Sequence, residues 1–231
     1  MSSPLISCLC VTENRPDFMP WLLWNFQRQK YPNTELVIID GSKTPYKPGK
    51  TKGVRVVHAP GLNIPQRRNL ALQEAKGDLI AWFDDDDWYH PNRLNFLFQL
   101  ITDETPAAGP KLAWFVNLFT FGVKQFVSRY TVLNSGLVAR TDAARSIQFN
   151  EAVNKGADVD WLNELHARYG VAETFEVPSF FLCHDQNAGN LASVHQFNRD
   201  MMAITSVVQC AWQDTTSQLE ALRGRVQERA G

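Results

Sequence analysis

Four aspartates stand in a row, Asp84, Asp85, Asp86 and Asp87, directly after the apolar run LIAWF and directly before WYHP. Two unit charges about 4 Å apart repel by roughly 4 kcal/mol at an effective dielectric near 20, so a folded chain must relieve such a cluster. The carboxyls can hold protons through raised pKa values, splay into water, or share a cation. One or two aspartates at a strand-to-helix turn are ordinary caps. Four in succession point instead to a bound cation, and carboxylate oxygens favour hard divalent ions such as Mg2+ or Mn2+.

A basic counterpart lies upstream. The segment KTPYKPGKTKGVR carries Lys43, Lys47, Lys50, Lys52 and Arg55 with no acid among them. It reads either as a solvated loop or as a contact for a phosphorylated partner.

These residues need elements to hold them. LISCLCV is a short apolar run that reads as a buried strand, and the segment after Pro16, with Trp21, Leu22, Leu23, Trp24 and Phe26, reads as a helix. ELVIIDGS is a second strand ending in the turn pair Asp40-Gly41, and GVRVVHAP a third. IPQRRNLALQEAKG is a helix with Gly77 as its stop, DLIAWF the strand that delivers the aspartates, and Pro91 opens the next helix. Strand and helix thus alternate with short connections, the pattern of an open, largely parallel sheet covered by helices. Ligands of such sheets bind beyond the carboxyl ends of the strands. The loop after strand one, Asp40 after strand two and the acidic row all fall on that rim.

The second half is less regular. KLAWFVNLFTFG and KQFVSRYTVL suggest a hairpin around Gly122, SGLVAR another strand, and DVDWLNELHARYG a helix ending at Gly170. FEVPSFFLCH is extended, and the chain after Gln196 reads as mostly helical. The expected organisation is a domain over residues 1–190 and a helical extension over 191–231.

Composition excludes several classes. Hydrophobic residues make up 44% of the 231 residues, enough for a core, and a net charge of −1 leaves no global basic field for nucleic acid. Cys8 and Cys10 lie two apart on one strand face and cannot easily bridge, while Cys183 and Cys210 match no metal spacing. Buried, reduced thiols suit a cytoplasmic protein. The N-terminus has no basic region before its short apolar run, so a signal peptide is not expected, and no apolar stretch is long enough to cross a bilayer. Peripheral membrane attachment stays open.

SCLCVTENRP, ELVIIDGS, RRNLALQEAKGDLIAWFDDDDWYHPNRL and GADVDWL resemble, in order, the motifs of family 2 glycosyltransferases with the GT-A fold, over roughly residues 4 to 190. The specific part is the middle motif: an Arg-Asn pair, a helix ending in Ala-x-Gly, a strand, then Asp-x-Asp-Asp before a proline. The resemblance implies a nucleotide-diphosphate sugar donor, a UDP-sugar first, held at the strand ends. Thr12 and Glu13 would line the nucleoside pocket and Asp40 would bind the base, although the family often has two aspartates there. Arg68 would brace the acidic row or the diphosphate, with an exposed helix arginine as the plainer reading. Asp84 and Asp85 would sit near the ribose and diphosphate, and Asp86 would coordinate a divalent cation, Mn2+ or Mg2+. Asp87 has no assigned role, and His90 reads as a helix cap.

Family members often carry Glu-Asp where this chain has Ala157-Asp158. Asp158 matches the catalytic base, with Asp160 next to it as the runner-up and a helix cap as the plainer alternative. His184 in CHDQNAGN matches a histidine that closes the metal site. The implied reaction is a single inverting displacement onto a hydroxyl acceptor, a glycan or lipid-linked glycan first, with protein and nucleic acid behind. Trp114, Phe115, Phe119, Phe121 and Trp161 are aromatic candidates for stacking on it. A nucleotidyltransferase would need a glycine-rich loop where TENRPDF has none. A non-catalytic nucleotide-sugar-binding module remains the alternative, because the glutamate before Asp158 is missing. Oligomeric state is not legible.

Overall fold

Strand β1 (Ile6–Thr12) is the centre of the molecule. The computed structural model describes residues 3–118, 123–128, 132–153, 155–177, 179–183 and 209–230. On one side β1 pairs in parallel with β2 (Thr34–Asp40), which pairs in parallel with β3 (Val54–His58). On the other it pairs in parallel with β4 (Leu79–Trp82). Beyond β4 come β9 (Val138–Arg140), antiparallel to both neighbours, then β6 (Ala107–Pro110) and β10 (Ala172–Thr174), giving the order β10-β6-β9-β4-β1-β2-β3. The sheet is therefore mostly parallel, as expected.

The twofold alternation of a strand divides the core. Leu9, Val37, Ile39, Ile80 and Trp82 face α2 (Ile64–Glu74), α4 (Thr141–Arg145) and α5 (Ala157–Tyr169). Cys8, Cys10, Leu36, Ile38, Leu79 and Ala81 face α1 (Met19–Gln27) and α3 (Arg93–Leu100). Both thiols are fully buried and free, and burial pushes Cys8 up to about 12.

A second sheet was not legible in the sequence. It runs β5 (Asp87–Tyr89), β11 (Ser179–Cys183), β7 (Leu112–Asn117), β8 (Val123–Val127). β7 and β8 are the expected antiparallel hairpin. Against this sheet lies α6 (Gln209–Ala230), whose Leu219, Leu222 and Val226 join Phe18, Trp21, Trp88, Phe180 and Leu182 in a third apolar cluster. No described helix is long and apolar enough to cross a membrane.

Two local readings change. Helix α2 ends at Glu74, not at Gly77. Gly77 has no left-handed φ. It is glycine because a Cβ would lie 2.5 Å from the Leu5 carbonyl oxygen and 2.8 Å from the Ser7 amide nitrogen, where the chain re-enters the sheet. Arg55 leaves the basic segment altogether: it pairs with Glu35 at 3.1 Å and Glu74 at 2.7 Å, joining β2, β3 and α2. Lys43, Lys47, Lys50 and Lys52 are exposed.

Candidate active site

Register alone brings the rim together. Leu9 pairs with Trp82 and Thr12 with Asp40, so three residues past Leu9 and three past Trp82 lie at one level. There the Thr12 hydroxyl donates to Asp85 Oδ2 at 2.5 Å. The three sequence clusters meet because parallel strands in register end together.

The acidic row keeps the twofold alternation of the strand it follows. Asp85 and Asp87 are buried, at 1% and 5% exposure, while Asp84 and Asp86 are half-buried between them. Asp87 belongs to β5, and its carbonyl accepts from the Trp21 indole at 2.9 Å and from Asn25 at 3.3 Å. The row is thus fixed from behind through its backbone, while all four aspartates border a shared cavity.

Three arginines surround the row. Arg15, on the loop after β1, places one Nη1 atom 2.8 Å from Asp85 Oδ1 and 2.9 Å from Asp86 Oδ2. Arg68, on α2, faces Asp84 and stands 4.0 Å from Asp158 Oδ2, its guanidinium over the rings of Trp82 and Phe149. Arg93 is fully buried. It donates to the Trp82 carbonyl at 3.1 Å and the Ser135 carbonyl at 3.2 Å and lies over Tyr89 at 4.1 Å. Sequence reasoning missed Arg15 and Arg93. The only signal was their place, one just after strand one and one just after the acidic row.

The arginines do not cancel the charge. Burial first, then Asp86, pushes Asp85 up to about 6, against the opposing pull of Arg15 and the Thr12 hydrogen bond. Burial likewise raises Asp84 and Asp87, with Asp86 adding to both. The row is short of positive charge even with Arg15 in place, and its oxygens are hard donors, so a divalent cation fits this wall. Among the described residues, no three His, Cys, Asp or Glu side chains stand at metal-binding spacing. His184 lies outside the described residues.

Other candidates take definite places. Glu13 is exposed and accepts from Arg67 Nη2 at 2.7 Å. Arg67, only 3% exposed, also donates to the Thr12 carbonyl at 3.2 Å. It passes so close over Gly41 that a Cβ there would fall 1.8 Å from Nη1. Asp40 accepts from the Ser42 amide at 2.8 Å and the Tyr46 amide at 2.7 Å, so its carboxylate shapes the loop after β2. Asn14 holds φ +53°, the left-handed region, and its amide donates to the Ser42 hydroxyl at 2.7 Å. Such backbone strain clusters at working sites.

The N-cap of α5 is Gly156, φ +82°, with no side-chain cap, so Asp158 is not the cap. It sits in the first turn and borders the cavity, whereas Asp160 is exposed and does not. His90 is not the expected cap: the N-cap of α3 is Asn92, with no side-chain cap, and His90 Nδ1 accepts the Asn92 amide at 3.2 Å in the turn before the helix. Trp161 is buried in a stack on Phe149, 5.0 Å between centroids, and Phe115 borders the cavity. Trp114 packs on the third cluster; Phe119 and Phe121 lie outside the described residues.

The cavity has a volume of about 1100 Å³. Its polar lining is Thr12, Glu13, Arg15, Arg67, Arg68, the four aspartates and Asp158. Its apolar lining is Ile64, Phe115, Val132, Leu162 and Phe181, with Ile64 one turn from Arg67 and Arg68 on α2 and Leu162 one turn from Asp158 on α5. A cavity of that size and mixed lining takes a ligand that carries both charged and apolar groups.

The family model of Glycosyl transferase family 2 matches residues 7–135, more than half of the chain. Among curated proteins, the chain is 24% identical over 112 residues to the putative glycosyltransferase EpsH of Bacillus subtilis, covering 46% of this chain and 33% of that one. It is 30% identical over 114 residues to the putative colanic acid biosynthesis glycosyl transferase WcaA of Escherichia coli, covering 44% and 40%. The chain thus spans less than half the length of these relatives. Among solved structures it superposes on S. aureus TarS in complex with UDP, with TM-score 0.59, 16% identity, and 77% of this chain and 60% of that one covered. It also superposes on the mannosyltransferase PcManGT of Pyrobaculum calidifontis in complex with GDP-Man and Mn2+, with TM-score 0.58, 15% identity, and 80% and 59% covered.

Proposed function

Because this chain belongs to the family 2 glycosyltransferases, we propose that it moves a sugar from a nucleotide-diphosphate donor to an acceptor hydroxyl. The observation that carries this reading is that Asp84, Asp86, Arg68 and Asp158 border one cavity together. The bound UDP of TarS and the GDP-Man and Mn2+ of PcManGT support a donor of this class. We take a UDP-sugar as the donor and a glycan or lipid-linked glycan as the acceptor, the apolar lining residues favouring a partner with a low-polarity face. The free, buried thiols suit work in the cytoplasm.

Asp86, with Asp84 beside it, would hold a divalent cation, which when bound offsets charge on the departing diphosphate. Thr12 and Arg67 fix the loop that lines the nucleoside side. Asp158 accepts the proton of the acceptor hydroxyl as it attacks, and Arg68, 4.0 Å away, orients that carboxylate. Attack from Asp158's side of the cavity, opposite the leaving group, inverts the anomeric centre.

Thermal unfolding with UDP, GDP and TDP, each with and without Mn2+, tests the donor site. Saturation at 100 times the dissociation constant stabilises by about 2.7 kcal/mol, a shift of several degrees. Asp158→Asn keeps that shift and loses transfer by about 100-fold or more. No shift with any nucleoside diphosphate, or full transfer by Asp158→Asn, removes the assignment.

A further inference from the structure

Arg15 occupies the position where the acidic row most needs a cation. One of its nitrogens bridges Asp85 and Asp86, the side chain is only 17% exposed, and its charge is held by burial-resistant pairing with both carboxylates. Yet it is carried by a loop and not by a strand or helix. Asn14 before it is left-handed, and Pro16 after it opens a 3-10 turn. A long, flexible side chain on a loop can change partners. A carboxylate in a helix core cannot.

We infer that Arg15 is an internal counter-cation that competes with the divalent ion for Asp86 and moves to the donor's phosphates when ion and donor bind. This rests on the donor-site reading above. An ion held by the Asp86 carboxylate would repel the guanidinium that stands 2.9 Å from its Oδ2, so ion binding would loosen that pair. Phosphate oxygens then offer it an equal or better partner, because guanidinium groups bind them bidentately. Without a diphosphate, the displaced guanidinium keeps its Asp85 contact but gains no phosphate in exchange for Asp86. The consequence is that the protein takes the ion poorly alone and well together with nucleotide, which keeps the acidic row paired between turnovers. Arg15 is a positioning residue in the free protein and a donor ligand in the complex.

The test measures two affinities that a merely structural role would move in the same direction. Mn2+ binding without nucleotide is titrated by calorimetry or by electron paramagnetic resonance of the free ion, for the wild type, Arg15→Ala and Arg15→Gln. UDP binding is then titrated at saturating Mn2+. Expected is an opposite pair of changes: the variants bind Mn2+ alone about tenfold more tightly and UDP about tenfold more weakly, the size of an ordinary coupling between sites. Arg15→Lys, which keeps the charge, restores poor binding of Mn2+ alone. Circular dichroism confirms folding, and Arg15→Gln serves if Arg15→Ala does not fold. Loss of both affinities, or no change in Mn2+ binding, overturns the inference while leaving the donor site intact. A wild type that binds neither Mn2+ nor UDP in any combination overturns the donor site, and the inference with it.

Discussion

At the scale of single residues, the site is organised by groups whose partners are far away in sequence. Gly41 is the sharpest case. In the sequence it reads as half of a turn signal, and the turn is real, but its lack of a side chain answers to Arg67, which lies over it. Gly41→Ala must push that guanidinium away from Glu13 and the Thr12 carbonyl. Overpacking of this kind typically costs about 1–3 kcal/mol. The expected outcome is a lower melting temperature together with weaker nucleotide binding, read by the same thermal titrations. Unchanged nucleotide affinity in Gly41→Ala would show that Arg67 has no part in the pocket. The aspartates and Arg68 were legible because their types and order are local. Arg15 was not, since a single arginine before a proline says nothing until the strands fold and bring position 15 beside position 86.

At the scale of elements, two predictions concern how helices reach the site. Helix α6 presents Leu219, Leu222 and Val226 at helical spacing to the second sheet. Its Arg225 donates to the Asp17 carbonyl at 3.1 Å, and Arg229 donates to the Asn14 carbonyl at 3.2 Å. The helix therefore braces the loop that carries Arg15. Leu222 is fully buried, so Leu222→Ala costs about 2–5 kcal/mol, measured by denaturant titration. A cost under 0.5 kcal/mol would mean the helix does not share the core. In the turn before α3, the neutral ring of His90 accepts the Asn92 amide. Burial, then Arg28 and Lys30, hold its pKa below the ordinary value. The unfolded chain therefore takes a proton near pH 6.5 that the fold resists. This contribution is complete above that pH and is lost as pH falls through it. His90→Asn, which keeps an accepting oxygen, should flatten part of the decline in melting temperature between pH 7.5 and 5.5. Parallel curves for the two proteins would rule the histidine out. The first-half elements were legible because each core strand is one unbroken apolar run. The second sheet was hidden because β5 has three residues, drawn from the acidic segment itself, and its partner β11 comes from far along the chain.

At the scale of the whole molecule, two faces of the main sheet and one side sheet converge on a single rim. The mostly parallel architecture followed from alternation of strand and helix, and it fixed in advance where a ligand must sit. What alternation could not supply was the closure of that rim: α5 contributes Asp158, the second sheet contributes Phe115 and Phe181, and α6 brings Arg229 to the cavity edge. These come from the half of the sequence with weak periodicity, where pairing across long separations decides the fold.

The ring stack beneath the acidic row has one practical consequence. Trp82 meets Trp161 and Phe149 edge-on at 5.9 and 5.6 Å, with Arg68 over its face, one residue before Phe83 and the row itself. Its indole is shielded from solvent and sits next to the charges that an incoming molecule would rearrange. Trp82 thus offers an optical gauge with no dye attached: its share of the ultraviolet emission of the seven tryptophans, isolated by comparison with Trp82→Phe, is expected to shift as the chamber fills.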